Sequence, residues 1–242
     1  MKTALLYALI AAGANLVGGL VITTASARGR ISQRLLIGFG AGFMLSVAFL
    51  AMVPHAIRGG SSAPAIILAG YLLVHLTQHV LTPHFHFGEE THQHAMVGRS
   101  VGVSALLGLL LHTFFDGVAI ASGFQIDTAL GLLVFTAILL HKIPEGVTVA
   151  SVMLASGNSS ARALGGVMLL GVFTILGVLL TAWVGPLARH GLALSAGVTI
   201  YVAASNLIPE VQKERSLSFA VSVFAGVGSY YLAQLILGGL HG

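Results

Sequence analysis

Two stretches of the 242-residue chain pair an imidazole with a carboxylate four residues later: His112 with Asp116, and His141 with Glu145. On an α-helix, positions i and i+4 stand on one face, so each pair aims a nitrogen and an oxygen ligand at one point. Both pairs lie within long apolar stretches, Val101 to Ser122 and Thr128 to Ala155. A carboxylate at the centre of a bilayer costs roughly 2.5–3.5 kcal/mol even on the milder insertion scale, so four ionisable groups at that depth need compensation. A divalent cation bound by all four supplies it. With no cysteine in the chain, the metal ligands available are imidazole, carboxylate and thioether.

Three neighbours shape this constellation. Lys142 follows His141 directly, and its ammonium is expected to pair with an acid, Asp116 above all, in the place a second ion would take. Pro144 has no N–H for the carbonyl of Leu140, so a kink is expected one turn before Glu145, freeing an oxygen near the His141 face. Gly117 and Gly146 follow the two acids and let neighbouring helices approach closely.

The elements that must carry these residues are membrane-spanning helices. The chain is 56% hydrophobic and 7% charged, against about 25% charged in globular domains. Its mean hydropathy is +0.96. This predicts an all-α polytopic membrane protein with residues 1–242 as a single transmembrane domain. Eight spans fit, at about 3–25, 34–57, 63–82, 100–122, 128–155, 162–184, 190–210 and 216–238, each near the ~20 residues that cross a bilayer. Ala25-Ser26-Ala27 mimics a signal-peptide cleavage site, but the apolar run before it is of spanning length and reads as the first span. Seven basic residues fall after odd-numbered spans (Arg28, Arg30, Arg34, Arg99, Arg162, Lys213, Arg215) and three on the other side (Lys2, Arg58, Arg189). The positive-inside rule then places both termini outside. Basic residues set singly at helix ends give no nucleic-acid surface.

Between spans three and four, at about 83–99, a cytoplasmic loop carries His84, His86, His92 and His94 with Glu89 and Glu90. Such a tract either gathers metal loosely or is simply a solvated loop. Spans two and seven also match each other: Ala41-Gly42 through Pro54-His55 lies 155 positions before Ala196-Gly197 through Pro209-Glu210. The likeness continues at an offset of 156, where Ala69-Gly70 and Gln78 face Ala225-Gly226 and Gln234. Because the two spans run in opposite senses, this is an inverted repeat, the plan of secondary transporters with a midplane site.

His112-Thr113-Phe114-Phe115-Asp116-Gly117 and His141-Lys142-Ile143-Pro144-Glu145-Gly146 resemble the fourth- and fifth-helix signatures of the ZIP (Zrt/Irt-like) family of divalent-metal transporters. The resemblance covers the whole chain. It implies a 3+2+3 bundle, with helices 1–3 and 6–8 as the inverted repeat around helices 4–5. It also implies a metal site of His112, Asp116, His141 and Glu145 and movement of zinc or a similar ion (Fe²⁺, Mn²⁺, Cd²⁺) into the cytosol across the cell membrane. Family members with two metals commonly have Asn where Thr113 stands and Asp or Asn where Lys142 stands, so one ion is expected here. Met44 occupies a place from which a thioether can reach the site, or is a core residue. Asn206 and Glu210 of span seven are further pathway candidates, and span six carries no acid. Gly165, Gly166, Gly171 and Gly177 suit either contacts within the monomer or a homodimer seam. The metal ion and the lipid bilayer are the expected partners, and no organic cofactor is expected.

Other functions fit less well. A metalloprotease needs His-Glu-x-x-His on one helix, which does not occur, and no serine nucleophile motif is present, so the chain reads as no enzyme. A cation-diffusion exporter would end in a soluble domain, whereas this chain ends in a span. A non-transporting metal sensor or receptor is the remaining alternative, separable by an uptake assay.

Overall fold

The computed structural model describes residues 1–24, 30–78, 99–212 and 216–238, and these are helical throughout apart from short turns. The helices are α1 (Lys2–Thr24), α2 (Arg30–Ser46), α3 (Val53–Arg58), α4 (Ala63–Leu76), α5 (Arg99–Ile126), α6 (Thr128–Ala155), α7 (Ser160–Trp183), α8 (Gly185–Tyr201), α9 (Ile208–Gln212) and α10 (Leu217–Gly238). Seven of the resulting rods are long and apolar enough to cross a membrane among the described residues, and α4 is a shorter apolar helix. They follow the eight expected spans with shifted ends. The fourth continues to Ile126, because nothing in Gly123 to Ile126 stops a helix until Asp127 takes the extended cap conformation and its Oδ2 accepts from Leu130 N–H at 3.1 Å. The seventh starts at Gly185 rather than 190, since Pro186 fits the first helical turn, where a missing N–H costs nothing.

Sequence periodicity did not foretell one feature. α2 and α3 form a single rod joined by the π-helical segment Val47–Met52, and α8 and α9 are joined likewise by Val202–Leu207. Each segment ends in an i→i−5 bond, Val53 N–H to Ala48 O and Ile208 N–H to Ala203 O. A proline follows immediately in both cases, Pro54 and Pro209. Proline cannot donate, and widening the turn before it re-registers the backbone ladder without breaking the rod. The two segments stand 155 residues apart, the offset that relates the two halves in sequence.

Helices cross where glycines remove the side chain on both partners. Gly42 and Gly226 meet across α2 and α10, and Gly70 and Gly197 across α4 and α8; a Cβ on any of them would fall about 2 Å from a carbonyl of the facing helix. The helices around the two His-x-x-x-acid pairs do the same. Gly146 of α6 faces Asn15 and Gly18 of α1 faces Ile143, while Gly117 of α5 faces Thr174 and Gly177 of α7 faces Phe114. Because Gly117 and Gly146 adjoin Asp116 and Glu145, these crossings clamp the two acids at one level. Around them lies one main core of small and branched residues, among them Ala41, Met44, Val47, Leu109, Ile120, Leu130, Ile138, Leu170 and Ala203.

Candidate metal centre

α5 and α6 pack against each other, which brings the two His-x-x-x-acid faces together. His112, Asp116, His141 and Glu145 are all buried, and one ligand atom from each lies within 4.8 Å of the others. Asp116 is at the centre: its Oδ2 stands 3.3 Å from His112 Nε2 and 3.4 Å from His141 Nε2. The imidazole rings sit 5.4 Å apart, inclined at 40°.

The tautomer of His141 follows from its backbone partner. Its Nδ1 lies 3.0 Å from the carbonyl of Ala137, which can only accept, so Nδ1 carries the proton and Nε2 presents its lone pair inward. His141 Nε2 has no hydrogen-bond partner, and neither does His112 Nδ1. The open Nε2 of His141, which faces Asp116, suits a partner that accepts a lone pair.

Lys142 is entirely buried and touches both acids. Its Nζ lies 2.7 Å from Asp116 Oδ2 and 2.6 Å from Glu145 Oε2. The sequence reading favoured Asp116 alone; the side chain instead bridges the pair, since position 142 is three residues before Glu145 on one helix and faces Asp116 across the other. Thr113 completes the arrangement: its Oγ1 donates to Glu145 Oε1 at 2.6 Å and accepts from Lys142 Nζ at 3.3 Å. Sequence reasoning treated Thr113 only as a departure from a family pattern. Its position one residue after His112, on the helix facing Glu145, was the available signal. Pro144 lies inside an α6 that stays helical from Thr128 to Ala155, and its own carbonyl accepts from Thr148 Oγ1 at 2.8 Å.

The remaining candidates scatter. Met44 is buried in the main core on α2, one turn beyond Gly40, which faces Leu140 at 3.6 Å. Asn206 is buried within the second π-helical segment, its Nδ2 without a partner. Glu210 falls on α9, and its side chain is not described. The loop candidates His84, His86, His92 and His94 lie outside the described residues. At the α6 start, a cavity of about 490 Å³ is lined by His55, Arg58, Asp127, Leu133 and Gln234 among others. Leu133 precedes His141 by eight residues, so on α6 the cavity lining ends about 12 Å short of His141 along the helix.

The profile of the family described as ZIP zinc transporter matches residues 74–234, which contain both His-x-x-x-acid pairs. The chain is 31% identical over 225 residues to the zinc transporter GufA of Myxococcus xanthus, covering 87% of this chain and 89% of that protein. It is 26% identical over 243 residues to the zinc transporter ZupT of an Enterobacter species, covering 91% and 92%. To the yeast zinc transporter YKE4 it is 22% identical over 216 residues, covering 76% of this chain and 62% of that protein.

Proposed function

Because the chain belongs to the ZIP zinc transporter family, we propose that it carries zinc across the membrane and into the cytosol, with His112, Asp116, His141 and Glu145 as the ligands. The observation that carries this reading is the convergence of two imidazoles and two carboxylates, all buried, on one point between α5 and α6. Nitrogen and oxygen donors in that number match a four-coordinate Zn²⁺, with Fe²⁺, Mn²⁺ and Cd²⁺ as chemically similar cargo. Zinc is the substrate, bound and released, so the site must stay reachable. The cavity above Leu133 supports approach from the side where α6 begins, which the distribution of Lys and Arg makes the outside, with both termini there and the protein in the cell membrane. An ion of charge +2 gains roughly 4–5 kcal/mol per 100 mV on entering a negative interior, enough for uptake to run without a coupled ion.

Two features support the 3+2+3 plan with an inverted repeat: the π-helical segments share the repeat offset, and the α2–α10 glycine crossing has a counterpart between α8 and α4. Lys142 takes the position of a second cation, so one zinc is bound at a time. Met44, Asn206 and Glu210 are kept as accessory metal or pathway residues, and His84, His86, His92 and His94 as a loose cytoplasmic metal-binding tract. Gly166, Gly171 and Gly177 of α7 pack within the monomer against Met153, Ala12 and Phe114, so of the four glycines only Gly165 is left for a homodimer seam.

Reconstituted in liposomes, the protein should accumulate radiolabelled zinc along a gradient, and Glu145→Ala should reduce uptake at least about tenfold. A protein that binds zinc in the membrane without moving it would instead be a sensor.

A further inference from the structure

Away from the α5–α6 cluster, the cavity of about 490 Å³ at the α6 start brings together two further side chains of metal-binding type. Among the described residues lining it, His55 is the only imidazole and Asp127 the only acid. They come from different elements, His55 from α3 and Asp127 from the cap of α6. His55 is half-buried and also borders a second cavity, of about 80 Å³, beside α8. Its Nδ1 lies 2.8 Å from the carbonyl of Ala51, one turn back on the same rod. A carbonyl only accepts, so the neutral ring carries its proton on Nδ1 and keeps its lone pair on Nε2. No other side-chain partner of His55 is present among the described residues.

The repeat gives His55 a counterpart. Pro54-His55 and Pro209-Glu210 each follow a π-helical segment, 155 positions apart. α3 packs against α8 and α9 against α2, so the two rods run antiparallel and these positions fall at opposite ends of the bundle. A widened turn followed by a proline thus carries a residue of metal-binding type at each end, and π-helical turns concentrate at functional sites. Along α6, the run from Ala129 to Leu140 holds no His and no acid. Arg58 lines the same cavity, and its charge, set against only two donors, keeps the affinity for a cation low. That suits a place where an ion is met and passed on, not a second tight site.

We propose that His55, with Asp127, forms an encounter site for the hydrated divalent metal ion at the outer mouth, before the site between α5 and α6. This rests on the transport reading above and adds its first binding step.

The chain has no cysteine, so His55→Cys introduces a single reporter thiol that is itself a zinc ligand. In intact cells a membrane-impermeant methanethiosulfonate should label that thiol from outside, and saturating zinc should slow the labelling at least about fivefold. Adding Asp127→Asn, which keeps a cap acceptor for α6 but removes the charge, should abolish the protection. Ser61→Cys, exposed and on neither cavity, should label at the same rate with and without zinc. In proteoliposomes, His55→Gln should raise the zinc KM at least about fivefold and leave kcat within about twofold of the parent, whereas a purely structural role would lower kcat. A parent KM in His55→Gln, or a fall in kcat beyond that range, overturns the proposal. So does labelling that zinc leaves unchanged, or labelling from the inside only. Each of these results can occur while the parent still takes up zinc; absence of any uptake by the parent would instead refute transport itself, and the proposal with it.

Discussion

Replacing Gly146 by alanine tests whether the helix crossing beside Glu145 sets the site. The added Cβ would stand 2.0 Å from the carbonyl oxygen of Asn15 and 2.9 Å from its carbon, where ordinary contact begins near 3.4 Å. Both obstacles are backbone, so no rotamer change relieves them, and α1 and α6 must separate by about 1.4 Å at this level. Overpacking of this kind costs about 1–3 kcal/mol. It also displaces Glu145, the adjacent residue, by a large fraction of a ~2 Å metal–ligand bond. A misplacement near 1 Å is enough for about a hundredfold loss in positioned chemistry. Gly13→Ala, on α1 itself, is the control, because its Cβ would meet nothing within 4 Å. That change should leave uptake intact and raise stability by as much as ~1 kcal/mol through helix propensity. Thermal unfolding in detergent and zinc uptake in liposomes read both effects. A Gly146→Ala protein with parent melting temperature and parent uptake would refute the claim that this crossing holds the ligand in place.

Changing His84, His86, His92 and His94 together to Ser should leave uptake within about threefold of the parent while removing weak secondary zinc binding in calorimetry; loss of all uptake in an inserted variant would put the loop on the obligatory path. Lys142→Asp combined with Thr113→Asn should raise the zinc stoichiometry of the loop-deleted protein from one to two, and an unchanged value of one would show that Lys142 does not stand in for an ion. Asp127→Ala should lower stability by about 1 kcal/mol through loss of the bond to Leu130 N–H at the start of α6, and an unaltered melting temperature would show that the cap contributes nothing.

The apolar helices and the clustered His–acid pairs were legible in the sequence for the same reason. Apolar runs of spanning length stand out against short polar connections, and ionisable residues inside them are costly enough to need a role. A four-residue spacing fixes which face His112 and Asp116 share, but not how far that face lies from His141 and Glu145; the distance depends on Gly117 and Gly146 closing on α7 and α1. The double ion pair of Lys142 and the hydroxyl of Thr113 were hidden because both depend on the rotation of α5 against α6, which spacing within one helix does not carry. The π-helical turns escaped because one extra residue per turn leaves an apolar pattern almost unchanged in a helix buried on most sides. Pro54 and Pro209, at the same place in both halves, were the local signal.

Anomalous diffraction at the zinc edge, from crystals of the protein grown with zinc, tests the central claim most directly. The account predicts one strong peak in the membrane region, about 2.0–2.2 Å from nitrogen or oxygen atoms of His112, Asp116, His141 and Glu145. A membrane-embedded peak away from α5 and α6, or none at these four side chains in protein that transports zinc, would contradict it.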